Sequence, residues 1–293
     1  MKAGIFFCFA FINSISLFSQ VLTDTMYFDI AWEQTSRENA KYYRIITMDN
    51  SGDFLFHVTD YYLSGQVQMT GTYRSIRPDY REGKFSWYFP NGQKQQECEY
   101  KNNMVHGILE EWYENGHQKS RQRFHEEVPE GPMKTWNQDG TIQMETQYSE
   151  GLKHGYFITY YNNGQMIRKD LYEHGILIEG QCFNPDGTAA DYFPYIVLPR
   201  FKGGPSELRK FIEKNLQYPK SAEKSGKEAT ILVLFTVDKT GEVKDPQIVH
   251  GDIESFNEEA LRLVKSFPAW IPGMIDGIPS ALQMSVPIDF RLR

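Results

Sequence analysis

Five Asx-Gly pairs punctuate the middle of the chain: Asn91-Gly92, Asn115-Gly116, Asp139-Gly140, Asn163-Gly164 and Asp186-Gly187. The first four glycines are spaced by 24 residues and the last step is 23. Asn-Gly or Asp-Gly between alternating runs is a strong hairpin signal, because both central residues of a type I′ turn need positive φ. Two further registers keep the same period. Units open at Gly83, Gly107, Gly131 and Gly155, and an aromatic follows five residues later at Tyr88, Trp112, Trp136 and Tyr160. A second aromatic falls on the return strand at Tyr100, Phe124, Tyr148 and Tyr172. Three registers at one period predict one hairpin per unit, stacked into a meandering sheet whose aromatic columns form the core. Composition agrees: Tyr, Phe and Trp make up 15% of the 293 residues, and aromatics favour pleated, half-buried strands.

The pattern Gly-x(4)-aromatic-x(2)-Asn-Gly, followed by an aromatic and His-Gly, resembles the bacterial variant of the MORN repeat, which also occurs in proteins described as antitoxin-like. The resemblance covers residues 83–188, with Tyr61-Tyr62-Leu63-Ser64-Gly65 as a degenerate earlier unit. Residues 20–82 are expected to cap the array, since an unpaired sheet edge invites aggregation. Classical MORN arrays are linked to lipid binding. Here residues 83–178 hold ten Lys/Arg against thirteen Asp/Glu, which gives anionic lipid little to attract it.

Stacked strands also separate the residues that invite chemistry. Cys98 and Cys182 fall seven strands apart, about 34 Å at roughly 4.8 Å per strand, far beyond the roughly 6 Å that a disulfide spans. His106 and His154 both precede a glycine, yet two repeats put about 19 Å between them, too far to share a metal. Both are read as turn-flanking residues, and no metal site is expected.

The last hundred residues change pattern. Residues 189–204 read as a connector containing Pro194 and Pro199. Leu208, Phe211, Ile212 and Leu216 make one apolar stripe on a helix predicted over 205–217, with Pro205 at its start. Ile231 to Val237 reads as a buried strand, Lys239-Thr240-Gly241-Glu242 as a turn, and 243–250 as a second strand. A second helix carries Phe256, Ala260, Leu263, Val264 and Phe267 on one face, and a closing strand runs over 283–292. The order is α-β-β-α-β, so the expected fold is mainly β plus α+β.

Several fixed spacings in this region look like the C-terminal domain of TonB, the periplasmic energy transducer that engages outer-membrane transporters. They are Gln217-Tyr218-Pro219-x-x-Ala222, Val237-Asp238-x-x-Gly241-x-Val243, the exit Trp270-x-Pro272-Gly273, and Pro287-Ile288-Asp289-Phe290. In that family the domain binds an extended transporter segment as an added strand beside the last strand. The resemblance therefore implies partner contact at Gln217, Tyr218 and Pro219, and along Met284, Val286, Ile288 and Phe290. Tyr218, Pro219, Trp270 and Pro272 also serve a purely architectural reading, as residues that shape turns. Two departures put energy transduction in doubt. A β-repeat array stands where a transducer has a Pro-rich spacer, and a short leader stands where it has a membrane helix.

That leader is Lys2 followed by ten uncharged residues, Ala3 to Ile12, and a more polar stretch, Asn13 to Ser19. It reads as a secretory signal peptide over 1–19, cut near Ser19–Gln20, and implies the periplasm or cell envelope. The alternative is an uncleaved anchor, although a spanning helix needs about 20 apolar residues. A net charge of −7 argues against nucleic acid as a partner.

No Gly-x-Ser-x-Gly, phosphate loop or His-Glu-x-x-His occurs, and His250-Gly251-Asp252 lacks a positioned nucleophile. The expectation is a non-enzymatic envelope protein without cofactor, whose domain over 205–293 binds a protein segment by strand addition. It meets a membrane only through partners or an uncleaved N-terminus. The alternative makes the array an antitoxin-like or structural interaction scaffold.

Overall fold

The computed structural model describes residues 20–48 and 55–292, so the leader assigned as a signal peptide lies outside the described residues. The chain divides into two compact units, 1–190 and 191–293.

The first unit is a sixteen-stranded antiparallel sheet in which neighbours in sequence are neighbours in space, from Gln20–Phe28 at one end to Ala189–Ala190 at the other. Two kinds of turn alternate along it. Glu126-Glu127, Glu150-Gly151 and His174-Gly175 have positive φ at both residues, as does Asn102-Asn103, and these are the two-residue turns of type I′ character. The Asx-Gly pairs were expected to fill that role and do not. Only their glycines have positive φ, and the first four adjoin a register shift in the preceding strand, such as Trp87/Tyr88 and Glu111/Trp112. Here the Asx side chain bonds its own loop: Asn91 Oδ1 accepts from the Gln93 amide at 2.9 Å and Asn115 Oδ1 from the His117 amide at 3.1 Å. The amide half of the same side chain reaches the next repeat. Asn91 Nδ2 donates to the Glu114 carbonyl at 3.0 Å, Asn115 to Gln138 at 2.8 Å, and Asn163 to Pro185 at 2.9 Å. These bonds tie equivalent loops together, which accounts for a spacing so regular in sequence.

The opening glycines and return-strand aromatics are explained by the pairing itself. Gly83 lies opposite Tyr100, Gly107 opposite Phe124, Gly131 opposite Tyr148 and Gly155 opposite Tyr172. Each left-handed glycine leaves a gap beside a large ring. The aromatic columns are nevertheless not the deepest layer. Tyr88, Trp112, Trp136, Tyr160, Phe124, Tyr148 and Tyr172 are half-buried, and Tyr100 alone of the eight is buried. Deeper still is a pair of columns on the same period: Phe85, Leu109, Met133 and Phe157 lie opposite Cys98, Gln122, Thr146 and Asp170. Phe85, Phe157 and all four of the second series are buried. Gly71 belongs to the same layer, since a Cβ there would lie 2.2 Å from the Phe85 ring.

The second unit has a three-stranded antiparallel sheet with Ala229–Val237 in the centre, flanked by Val243–His250 and Leu282–Phe290. Helices Gly204–Asn215 and Glu254–Lys265 cover it. Alternation in the central strand buries Ile231, Val233, Phe235 and Val237, and the helix face Phe256-Ala260-Leu263-Val264 closes over them. Each such large side chain contributes about 1.5–3 kcal/mol by leaving water. Two short pieces were not anticipated: a helix over Lys220–Lys224, and a hairpin of Gly273–Ile275 with Ile278–Ser280. The hairpin pairs with Ile196–Val197, so the stretch read as a connector supplies a strand and, through Phe201, part of the core.

Candidate functional site

The two edges of the small sheet differ. Val243–His250 pairs with the central strand across two register shifts, carries Pro246, and places Asp245 at φ 49. Such bulges and prolines blunt an edge. Leu282–Phe290 pairs in nine consecutive positions without a shift, from Ala229↔Phe290 to Val237↔Leu282. Its other side has no strand partner among the described residues. Pro287 sits in this strand opposite Leu232. Proline has no N–H to give a ladder, so its nitrogen faces the open side. Backbone groups alternate along a strand, so Gln283, Ser285 and Asp289 present their amides to that same side.

The alternation also corrects a reading of side chains. Val286, Ile288 and Phe290 are buried at 6%, 0% and 0% exposure, and half-buried Met284 packs on the same core. Ile288 and Phe290 therefore turn their side chains into the core rather than outward. What the strand offers is its backbone edge, with Gln283, Ser285, Pro287 and Asp289 exposed.

Gln217, Tyr218 and Pro219 form the turn between the first helix and Lys220–Lys224. Gln217 is exposed, and its amide donates to Glu259 Oε1 at 2.7 Å. Glu259 also accepts twice from Arg262, at 2.7 Å each, and Arg262 donates to the Asn215 carbonyl at 2.8 Å. Glu259 is 8% exposed, and no sequence signal linked it to a turn 42 residues away. Side-chain bonding to Glu259 raises the pKa of Arg262, consistent with a charge-assisted clamp. Tyr218 stands edge-on to Phe256 and Phe290, with centroids 5.5 and 5.9 Å away, and its hydroxyl donates to the Lys227 carbonyl. The Pro219 carbonyl accepts from the Ala222 and Glu223 amides at 3.0 Å and starts the short helix. The tyrosine ring thus couples this turn to the end of the edge strand.

A groove of about 810 Å³ runs beside the strand, with Leu208, Ile212, Leu216 and Val286 on its walls and Arg209, Glu213 and Asp289 among its polar lining. Other motif residues are architectural. Gly241 has φ 90, and a Cβ there would lie 2.2 Å from the Trp270 carbonyl oxygen, whose amide in turn donates to the Gly241 carbonyl at 2.8 Å. Asp238 Oδ1 accepts from the Thr240 amide and hydroxyl at 2.8 and 2.6 Å, and the hydroxyl bond first of all lowers its pKa.

Within the array the structure pairs histidines that the sequence left apart: His106 with His125, and His154 with His174, with centroids 5.2 Å apart in both cases. Among the described residues no group of three or more His, Cys, Asp or Glu could hold a metal ion. Cys98 and Cys182 are buried and are not joined in a disulfide. No helix of the described residues is long and apolar enough to cross a membrane.

Comparison with known proteins divides the chain in the same way. Residues 214–292 match the family described as Gram-negative bacterial TonB protein C-terminal, and residues 81–102 and 153–174 match the MORN repeat variant. The array is thus similar to the MORN repeat variant, and the C-terminal domain to that of TonB. Protein TonB of Vibrio cholerae serotype O1 is 30% identical over 77 residues, covering 26% of this chain and 31% of that relative. The chain therefore spans about a third of the length of the curated relative it matches. Two NMR solution structures of the Helicobacter pylori TonB C-terminal domain are each 27% identical, with TM-scores of 0.25 and 0.24. They cover 30% and 29% of this chain, and 79% and 89% of theirs.

Proposed function

We propose that this is an envelope protein whose C-terminal domain captures an extended protein segment by strand addition along Leu282–Phe290. The observation that carries the reading is the unshifted, one-sided pairing of that strand beside an apolar groove. Main-chain hydrogen bonds supply affinity in such a complex, and grooves for alternate side chains supply selectivity. The Gln217-Tyr218-Pro219 turn touches the same strand through Phe290, which supports its taking part in partner contact. The similarity to TonB makes a segment of an outer-membrane transporter the expected partner, and an envelope location with it. The array then displays the domain.

The test exploits amide alternation. Ser285→Pro removes a donor from the open side only, whereas Met284→Pro removes one that faces the central strand. In the full chain, Ser285→Pro is expected to keep the native circular dichroism spectrum and to weaken binding of an extended transporter peptide by about tenfold. Unchanged affinity in a folded Ser285→Pro protein would sink strand addition at this edge.

A second reading makes the array an interaction scaffold in its own right. It is favoured by Ile176, Leu177 and Ile178, exposed at 67%, 40% and 56% on the last long strand of the array. Replacing Ile176 and Ile178 by Ser in the full chain separates the two, since only the scaffold reading predicts a lost partner.

A further inference from the structure

A second concave site lies in the N-terminal part of the array, on the strands before the first regular repeat and the strand that opens it. Its floor is a cross-strand row, Arg44↔Asp60↔Met69↔Trp87, on one face of the sheet. The Arg44 guanidinium grips Asp60 with both ends, Nε to Oδ1 at 2.7 Å and Nη2 to Oδ2 at 2.8 Å. Asp60 is 1% exposed. The cavity above holds about 500 Å³, within the size range of small-ligand sites.

Three features of its lining point to one ligand chemistry. Indole rings flank it: Trp32 is 38% exposed and Trp87 half-buried. Trp32 is held at 4.5 Å against Tyr42 in a parallel stack, so the ring is oriented before any ligand arrives. Buried among the lining residues is the Gln68 Oε1 atom, an acceptor without a hydrogen-bond partner among the described residues. A buried carbonyl left unpaired is destabilising, and a ligand hydroxyl would give it a donor. Finally, Arg77 and Arg81 line the cavity without a carboxylate within ion-pair distance among the described residues; the Arg81 guanidinium donates to the Tyr100 hydroxyl at 2.8 Å. In a chain of net charge −7, three arginines against Asp60 and Asp79 make this an island of positive charge.

We propose that this cavity binds a saccharide carrying a carboxylate. Hydroxyls are donors and acceptors at once, so a sugar answers both Gln68 and the arginines. The C–H face of a pyranose fits a flat indole, and a ring carboxylate fits Arg77 and Arg81. A neutral sugar leaves the guanidinium groups without an anion. A flat aromatic acid leaves the Gln68 oxygen without a donor.

The test uses the full-length protein, with tetragalacturonate as acidic probe and cellotetraose as neutral probe, followed by calorimetry and tryptophan fluorescence. Tetragalacturonate is expected to bind saturably and at least about tenfold more tightly than cellotetraose. Trp32→Ala lowers its affinity about tenfold, and Arg81→Gln removes the preference for the acid. Arg77 is exposed, so Arg77→Gln keeps the test open should either variant fail to fold. No saturable binding of either sugar at about 5 mM overturns the proposal. So does equal affinity for the two, or acid binding that Arg77→Gln and Arg81→Gln both leave unchanged.

Discussion

The repeat array and the helix-covered C-terminal sheet bury their residues differently. The C-terminal sheet is covered by helices, and its innermost residues are apolar: Ile231, Val233, Phe235, Phe256, Leu263, Ile288 and Phe290 are all at or below 1% exposure. The array is one continuous sheet, and its buried face mixes Phe85 and Phe157 with Ser120, Gln122, Thr146, Arg168 and Asp170. A dry, two-layer core excludes polar atoms because nothing inside would pair with them. A meander can bury a polar residue where a neighbour on the same face supplies a partner, as Glu111 across the ladder does for the Ser120 hydroxyl at 2.8 Å. Arg168 and Asp170, two residues apart on one strand, are the extreme case, fully buried and bonded at 2.8 Å.

That contrast is breakable at several points. The largest effect should come from Asp170→Ala, which removes the carboxylate that the fully buried Arg168 grips and costs about 3–5 kcal/mol. Replacing both residues by apolar ones should cost far less. Urea unfolding of the single and double variants measures this, and equal losses would mean that the pair matters only for its volume.

A second effect depends on pH. Burial pushes the Cys98 thiol up to about 11 from 9.0. A folded-state value above the unfolded one means full stability below about pH 9. The contribution is lost as pH rises through about 11, because the unfolded thiol ionises first. The loss attributable to this group is about 3 kcal/mol. Cys98→Ala should flatten the fall in array stability over that window, and an unchanged slope would assign the fall to the buried tyrosines instead.

Glycine gives a smaller test that spans both units. Gly241→Ala meets the Trp270 carbonyl as well as a positive φ, and should cost about 2–3 kcal/mol. Gly92→Ala has the same left-handed backbone but open space around it, and should cost about 1 kcal/mol. Comparable melting shifts for the two would show that backbone strain alone governs both sites.

The smallest change tests the tie between repeats. Asn115→Asp keeps the acceptor for His117 but removes the donor to the Gln138 carbonyl, at a cost of about 1 kcal/mol. Asp139 shows the substitution tolerated at an equivalent position, where its carboxylate bonds the Thr141 amide and hydroxyl instead. Hydrogen exchange at loops 113–117 and 137–141 should rise together in this variant.

Much of the array was legible because its signals are local. Glycines, Asx residues and aromatics repeat at one spacing, and a hairpin needs only near neighbours. The deepest column was not, since Cys98, Gln122, Thr146 and Asp170 share a position but no chemistry. In the C-terminal domain the spacing of Asp238, Gly241 and Trp270 was visible, yet the contact that requires the glycine joins residues 29 apart. The Glu259 clamp on Gln217 gave no signal at all, because an acid on a helix looks like a solvated face.

The sequence by itself determined the two architectures, the period of the first and the strand-helix order of the second, since periodicity and turn chemistry act over a few residues. Tertiary structure decided the rest. It turned Val286, Ile288 and Phe290 inward and left the backbone of their strand as the offered surface. It gave one sheet edge an unbroken register and the other two bulges. It also gathered Trp32, Arg44, Gln68 and Arg81 around one cavity. These are consequences of which side of a strand faces the core and which strands become neighbours. Both are settled only when distant segments bury their apolar faces against one another.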